Sequence, residues 1–196
     1  MEYVTISFGI TDEEREEVAD ILCEAFSKKF ERVFGSRSKS LTVIRKYLDA
    51  SNILVVRRRN KIVGVAGVKY DSVGWLTMSM ANALKEFGLS LLRVAITGLP
   101  LMTRNSKRSL LIDVLAVLAK ARGKGIGTRM LYHLISFART KGLNKIRLYV
   151  VNTNERAKLL YEKIGFRVVK IHKLLWPWKR IFGFRWSYEM ELSISP

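Results

Sequence analysis

Leu110-Leu111-Ile112-Asp113-Val114-Leu115-Ala116-Val117-Leu118 leads within a few residues into Ala121-Arg122-Gly123-Lys124-Gly125-Ile126-Gly127-Thr128. That junction decides how the chain folds. The first stretch is almost continuously apolar, the pattern of a strand buried on both faces. The second is a glycine-rich turn opening a helix that runs to about Lys141. Ile126, Met130, Leu134, Phe137 and Ala138 share one face of that helix, with Leu131 and Ile135 beside them. Arg129, His133, Ser136 and Thr140 fall opposite, which makes His133 a surface histidine. Gly142 closes the helix, and residues 146–151 supply a second strand. Such a strand–turn–helix–strand unit predicts a right-handed crossover.

Upstream, Tyr3-Val4-Thr5-Ile6-Ser7-Phe8 has the β-branched and aromatic content of a strand. Thr11 and Glu14 form a capping box for a helix with apolar positions Val18, Ile21, Leu22, Ala25 and Phe26. A helical stretch over 41–48 leads to a strand over 53–56. Arg58-Arg59-Asn60 turns that strand back into 62–70 as a hairpin with a basic, solvated tip. Within 75–104, Leu84, Phe87, Leu91, Val94 and Ala95 keep helical spacing, while Leu89, Leu92 and Ile96 fill the other face. Gly88, Gly98 and Pro100 interrupt the run. The pattern suits a core helix or a lid over a substrate site, ahead of a dimer contact or an interfacial membrane segment. Downstream, Thr153 or Asn154 caps a short helix bearing Ala157, Leu160, Tyr161 and Ile164, and Gly165 ends it. Strands follow near 166–175 and 184–194. With no repeat or linker, residues 1–196 read as a single α/β domain.

Composition narrows the chemistry. The 196 residues hold 35 Lys+Arg against 17 Asp+Glu, a net charge of +18. Residues 1–31 carry a net −6, and the remaining 165 carry +24. A positive field favours nucleotides, phosphates, nucleic acid or acidic lipid, and plain solubility accounts for it equally well. One cysteine, Cys23, excludes an internal disulfide and a cysteine-based zinc site. With only His133 and His172 besides, no metal is expected. Glu2 and the acids from Asp12 are unlike a signal peptide. No run reaches the roughly 18 uncharged apolar residues of a transmembrane segment. A soluble, cytoplasmic protein is the expectation.

Backbone N–H groups at a helix start, unobstructed by side chains, cradle an anion with help from the helix dipole. Arg122, Lys124 and Arg129 add charge around the turn, so a phosphate or pyrophosphate suits it. A phosphate-binding loop would need Lys-Ser/Thr after its glycines, and none is here. A dinucleotide fingerprint needs a different glycine spacing and an acid after the next strand, where this chain has Val151-Asn152. A turn with no ligand stays open on local sequence alone.

Arg122-x-x-Gly125-x-Gly127 after an apolar strand resembles the Arg/Gln-x-x-Gly-x-Gly/Ala signature of the GNAT family of N-acetyltransferases. Asn154-x-x-Ala157-x-x-Leu160-Tyr161-x-x-x-Gly165-Phe166 resembles that family's second motif. The likeness covers most of the chain and is strongest over 110–166. It implies an α/β (α+β) acyl-CoA N-acyltransferase fold, a mixed central sheet of about seven strands flanked by helices. The segment 75–107 is then an extension between the third and fourth strands and a candidate acceptor-site lid.

The resemblance also implies roles. Backbone amides of Arg122, Gly123, Lys124, Gly125, Ile126, Gly127 and Thr128 would hold the pyrophosphate of acetyl-CoA, the cosubstrate. Its pantetheine arm would pair beside Leu115, Ala116 and Val117, and Asn154 would contact that arm. Tyr161 would protonate the leaving thiolate, a role suited to a phenol of pKa about 10, against the alternative of a core aromatic. Period-two alternation puts Asp113 on the face of Leu115 and Val117. There it is a candidate base or substrate anchor, or equally a hydrogen-bonded structural aspartate. Glu31, Asp49, Asp71 and Glu86 are weaker candidates.

The bases and aromatics of Trp176-Pro177-Trp178, Lys179-Arg180, Phe182, Phe184, Arg185 and Trp186 read as an acceptor wall or packing, ahead of nucleobase stacking. The partner expected is therefore a small-molecule or peptide amine, with a homodimer as a further possibility. The alternative function is a non-catalytic, basic nucleic-acid-binding module on the same fold. A third is a membrane-surface or partner-binding protein working through 75–104 and 174–186.

Overall fold

The apolar stretch and the glycine turn build the centre of the protein. A computed structural model describes residues 4–90, 108–176 and 178–194, the side chain of Leu89 excepted. Its elements are β1 (Val4–Phe8), α1 (Glu14–Ala25), α2 (Ser27–Phe34), α3 (Arg37–Tyr47), β2 (Ile53–Arg58), β3 (Lys61–Tyr70) and β4 (Val73–Gly74). They continue with α4 (Met80–Phe87), β5 (Ser109–Val117), α5 (Ile126–Thr140) and β6 (Lys145–Val151). The chain ends with α6 (Glu155–Ile164), β7 (Arg167–Lys173), α7 (Trp178–Phe182) and β8 (Trp186–Ser193). The sheet runs β1-β2-β3-β5-β6-β8-β7, with the two-residue β4 paired to β3. Its one parallel contact, β5 on β6, is the crossover that α5 spans. The strand count exceeds the expected seven by β4 alone.

Both faces of the sheet are covered, which is why its central strands carry such long apolar runs. On one face, Met130, Leu131 and Leu134 of α5 pack with Ile146, Leu148, Phe166 and Met190. On the other, Val18 and Leu22 of α1, Phe30 of α2 and Ile44 of α3 pack with Val55, Val65, Trp75 and Val114.

The sequence did not predict α2. The chain breaks helical geometry at Phe26 (φ −124°, ψ 28°) and resumes at Ser27. Phe26, Phe30 and Phe34 recur at i, i+4 and form a ring ladder with centroids 5.8 and 6.1 Å apart. Lys28, Lys29 and Arg32 on the same eight residues masked that stripe in a reading by composition. The short α7 was missed for a similar reason. Its Trp178 and Phe182 stack at 6.4 Å, and β8 begins only at Trp186. Of the helix expected over 75–104, α4 and a following 3-10 turn fall among the described residues. Leu84, expected on its apolar face, is exposed, whereas Ala83 and Phe87 are buried. Residues 91–107, the remainder of the 75–107 segment expected as a lid, lie outside the described residues. His133 is half-buried, its ring 6.3 Å from Phe8, rather than a free surface group.

Two local predictions hold in detail. Glu14 Oε2 accepts from the Thr11 N–H at 2.9 Å while the Glu14 N–H reaches Thr11 Oγ1 at 3.4 Å, the reciprocal bonds of a capping box. Arg59 (φ 50°) and Asn60 (φ 59°) are both left-handed, as a two-residue hairpin turn requires. Arg57, next to that tip, is held by an acid. Its guanidinium makes a two-pronged bond to Glu14 at 2.6 and 2.7 Å, tying β2 to the first turn of α1. The acidic start of the chain thus meets the basic remainder: Glu14 with Arg57, Asp20 with Arg37 and Glu16 with Arg45.

Between β3 and β5 the register slips. Gly67 pairs with Val114 and Val68 with Ile112, leaving Asp113 as a bulge. Trp75 lies over Gly67 so closely that an added Cβ would sit 2.5 Å from the indole and 2.8 Å from Val114 Cγ2. Gly67→Ala is therefore expected to destabilise the fold by about 1–3 kcal/mol, since overpacked cores must shift; urea denaturation followed by tryptophan fluorescence measures it. Cys23 is 2% exposed, and burial pushes its thiol up to about 11. A disulfide reagent at about pH 8 should find no reactive thiol until the protein is unfolded.

Candidate active site

Parallel pairing of β5 with β6 extends only from Ser109↔Lys145 to Ile112↔Leu148. Beyond that point the strands part, because the bulge at Asp113 bends β5 and increases its twist. β5 continues beside β3 to Gly64↔Val117, and β6 continues beside β8 to Val151↔Ser187. The gap opens into a cleft of about 570 Å³. Leu115, Asp113, Tyr149, Val151, Asn154 and Tyr161 line it, facing a wall from Phe26 to Lys29 and a lip of Phe182–Phe184.

The parted strand leaves hydrogen-bonding groups bare. Leu118 N–H donates to Val63 O at 3.0 Å, so Leu118 turns its peptide groups toward β3. By antiparallel alternation, Leu115 and Val117 turn theirs away from β3, into the gap. The Val117 carbonyl accepts from Arg122 Nε at 2.9 Å. The groups of Leu115 remain available to an extended ligand, which would add itself as a strand. Ala116 instead pairs with Val65 and buries its side chain on the α1–α3 side.

Past the end of β5, the chain makes a 3-10 turn and enters the glycine segment. Gly123 (φ 76°) and Gly125 (φ 72°) adopt left-handed backbone, and Gly125 caps α5. A side chain at Gly125 would be strained there by about 1–2 kcal/mol. Arg122, Gly123, Lys124 and Gly125 are exposed, and Gly127 and Thr128 partly so, which leaves the first N–H groups of α5 open to solvent. Ile126 is buried as the first core residue of the helix. At Gly127, where α5 passes α6, an added Cβ would lie 3.4 Å from Leu160 Cδ2, an ordinary contact distance. The turn is outside the enclosed cleft and lies at its β5 end. Arg156 of α6 brings its Nη2 within 4.0 Å of where a Gly123 Cβ would be, adding a cation that the sequence had not singled out. Its signal was its place in the first turn of α6, two residues after the Asn154 cap.

Asn154 caps α6, its Oδ1 accepting from Ala157 N–H at 3.3 Å, and the residue lines the cleft. Tyr161 is 8% exposed and its ring packs against Phe166 at 5.9 Å. Its hydroxyl bonds to none of the described residues, and burial pushes its pKa up to about 12. Tyr161 is thus both a core aromatic and a cleft-lining phenol that stays protonated.

Asp113 departs from the expected alternation. Leu115 and Val117 pack toward α5, whereas the bulge sends the Asp113 carboxylate to the opposite face. There Oδ2 accepts from the Trp75 indole at 2.8 Å and Oδ1 lies 3.9 Å from Lys29 Nζ. Glu31, Asp49, Asp71 and Glu86 do not line the cleft. Asp49 bonds Ser51 and Asn52, and Glu86 bonds Lys46 and Tyr47. Among the described residues no group of three or more His, Cys, Asp and Glu could hold a metal ion, and no helix is long and apolar enough to cross a membrane.

Asn152 was also unforeseen. Its Oδ1 accepts from the N–H groups of Arg185 at 3.0 Å and Trp186 at 3.3 Å, fixing the Phe184 lip against the end of β6.

The comparisons with known proteins agree with this geometry. A model of the acetyltransferase (GNAT) family matches residues 15–166. Mycothiol acetyltransferase from Beutenbergia cavernae is 38% identical over 61 residues, 31% of this chain and 20% of that protein. N-alpha-acetyltransferase 50 from Danio rerio is 39% identical over 72 residues, 36% of this chain and 42% of that protein. The matched stretches therefore span less than half the length of these curated relatives. A crystal structure of an N-acetyltransferase from Staphylococcus aureus Mu50 superposes with a TM-score of 0.68 at 20% identity, covering 96% of this chain and 100% of that one, a likeness of fold. Since the family match runs from α1 through the parted strands and the glycine turn to the end of α6, this chain belongs to the acetyltransferase (GNAT) family.

Proposed function

We propose that the protein transfers the acetyl group of acetyl-CoA to a primary amine, which attacks the thioester directly in the cleft between β5 and β6. The observation that carries this reading is the parted strand pair, with bare peptide groups at Leu115 beside a buried, protonated Tyr161. An extended arm containing amides can complete the β5 edge as an added strand, which aligns its thioester end with the cleft interior. The exposed N–H groups of the turn and of the α5 N-terminus receive the pyrophosphate, and Lys124, Arg129 and Arg156 supply counter-charge. Asn154 contributes its amide nitrogen to the arm.

In the reaction the amine nitrogen forms a bond to the acyl carbon, the carbon–sulfur bond breaks, and the thiolate leaves. Tyr161 donates its phenolic proton to that sulfur and regains one from solvent. A phenol raised to about 12 is a weak acid in water. The thiolate, however, is released into the same low-dielectric surroundings, where burial raises the proton affinity of any anion. The acceptor is an amine whose carrier must pass between Phe26 and the Phe182–Phe184 lip.

Tyr161→Phe keeps the ring and its packing on Phe166. It should leave acetyl-CoA binding, read as thermal stabilisation, unchanged while lowering kcat for thiol release about 100-fold. Undiminished turnover would refute the acid role, and failure of the wild type to bind acetyl-CoA would refute the reading altogether. The active form of Tyr161 is the protonated one, so activity attributable to it should persist as pH rises and decline only near pH 12. Arg156→Ala should weaken acetyl-CoA binding about tenfold, in line with loss of one charge-assisted hydrogen bond, as isothermal titration would show.

A further inference from the structure

The reaction requires a group to take the proton from the amine, and the geometry points to His172, oriented by Glu189. This inference rests on the acetyl-transfer reading and names a residue that neither motif of the sequence contains.

Glu189 of β8 is 6% exposed, a carboxylate inside a sheet face. Burial opposes its charge, yet bonds from Arg147 and His172 hold its carboxyl below the usual carboxylate range. Arg147 Nη2 donates to Oε1, and His172 Nε2 lies 2.6 Å from Oε2. An ionised carboxylate only accepts, so Nε2 carries the hydrogen, and in the neutral imidazole the lone pair is then on Nδ1. No other hydrogen bond engages the His172 ring among the described residues. The arrangement is that of an imidazole whose tautomer is fixed by a buried acid and whose other nitrogen is free to accept a proton.

Position supports the role. The pairs Val151↔Ser187 and His172↔Ser187 put Val151 and His172 on either side of Ser187, so all three sit at one level of the sheet. Side chains at this level and at the Tyr149↔Glu189 level share one face, and His172, Ser187, Val151 and Tyr149 line the same cleft as Tyr161. The remaining titratable groups of the cleft differ from His172 in charge or in their partners. Tyr149 packs 5.6 Å from the His172 ring, and burial together with the Glu189 charge raises its pKa, so it remains a phenol. Asp113 of β5 is engaged by Trp75 and Lys29. Lys28 and Lys29 of α2 face the cleft as cations, and Arg147 of β6 stands behind Glu189. His172 is the cleft-lining imidazole, and its second ring nitrogen has no hydrogen-bond partner among the described residues.

Protons balance across the cavity. As the nitrogen–carbon bond forms, the amine proton passes to His172 Nδ1, directly or through one water, while Tyr161 gives its proton to the departing sulfur. Glu189 stabilises the imidazolium that results, and exchange with solvent restores both groups. Glu189 is a positioning residue, since it acts through His172.

The test compares the full-length wild type with His172→Gln, His172→Gly, Glu189→Gln and Tyr161→Phe. Each is given acetyl-CoA and a panel containing a polyamine, an aminoglycoside, and peptides offering a free N-terminus or a lysine side chain. With the best amine, His172→Gln should lose about 100-fold in kcat at neutral pH. Its KM for acetyl-CoA and its thermal stabilisation by acetyl-CoA should stay at the wild-type values, which also reports that it folds. Its pH–rate profile should lose the acidic limb, Glu189→Gln should shift that limb, and added imidazole should restore turnover to His172→Gly. Wild-type kcat and pH profile in His172→Gln, with Tyr161→Phe still impaired, would overturn this inference and leave acetyl transfer standing. Absence of thiol release from the wild type with every amine would overturn both.

Discussion

Everything distinctive about this molecule follows from one strand that cannot keep two neighbours. β5 is paired along its length with β3, but the extra residue at Asp113 bends it away from β6 after Ile112. A regular ladder there would have given a closed sheet with every peptide group satisfied and nowhere for a ligand to enter. The parting leaves unspent at the cleft backbone hydrogen-bonding capacity that folding normally consumes. Gly67 and Trp75 hold the bulge in place: the glycine admits the indole, and the indole nitrogen fastens the Asp113 carboxylate.

That constraint organises the chemistry around it. The groups lining the cleft come from α2, β5, β6, α6, β7 and the lip before β8, so no single segment contains them. Their electrostatics differ sharply over a short span. Tyr161 is isolated in apolar surroundings and keeps its proton, whereas Glu189 is just as buried but ionised, because Arg147 and His172 bond it. A proton donor and a proton acceptor can thus coexist in one cavity, separated by environment rather than by residue type.

Local sequence was informative wherever local physics governs. The apolar run, the glycine turn, the capping box at Thr11 and the hairpin at Arg59-Asn60 all depend on neighbours in the chain, and each lies where periodicity and turn chemistry predict. Asp113 shows the limit. Alternation assigns it to the face of Leu115, but a bulge is set by competition between two partner strands, and no window of sequence contains both. Arg57 and His172 were similarly opaque. Their partners, Glu14 and Glu189, are distant in the chain, so no local pattern marks either residue. α2 was hidden by the lysines among its residues, although its phenylalanines kept helical spacing.

The charge asymmetry divides along the same line. From composition alone, 17 acids and 35 bases give a positive field suited to a phosphate-bearing ligand. The sequence by itself determined the α/β class, the glycine-rich turn and the family-like motifs, because these arise from local patterns within tens of residues. Only the tertiary structure decided that α1 acids would neutralise β2 and α3 bases, that Arg156 would join the turn, and that Glu189 would orient His172. Those outcomes depend on which strands are neighbours in the sheet, and the pairing order β5-β6-β8-β7 is a property of the whole core rather than of any segment within it.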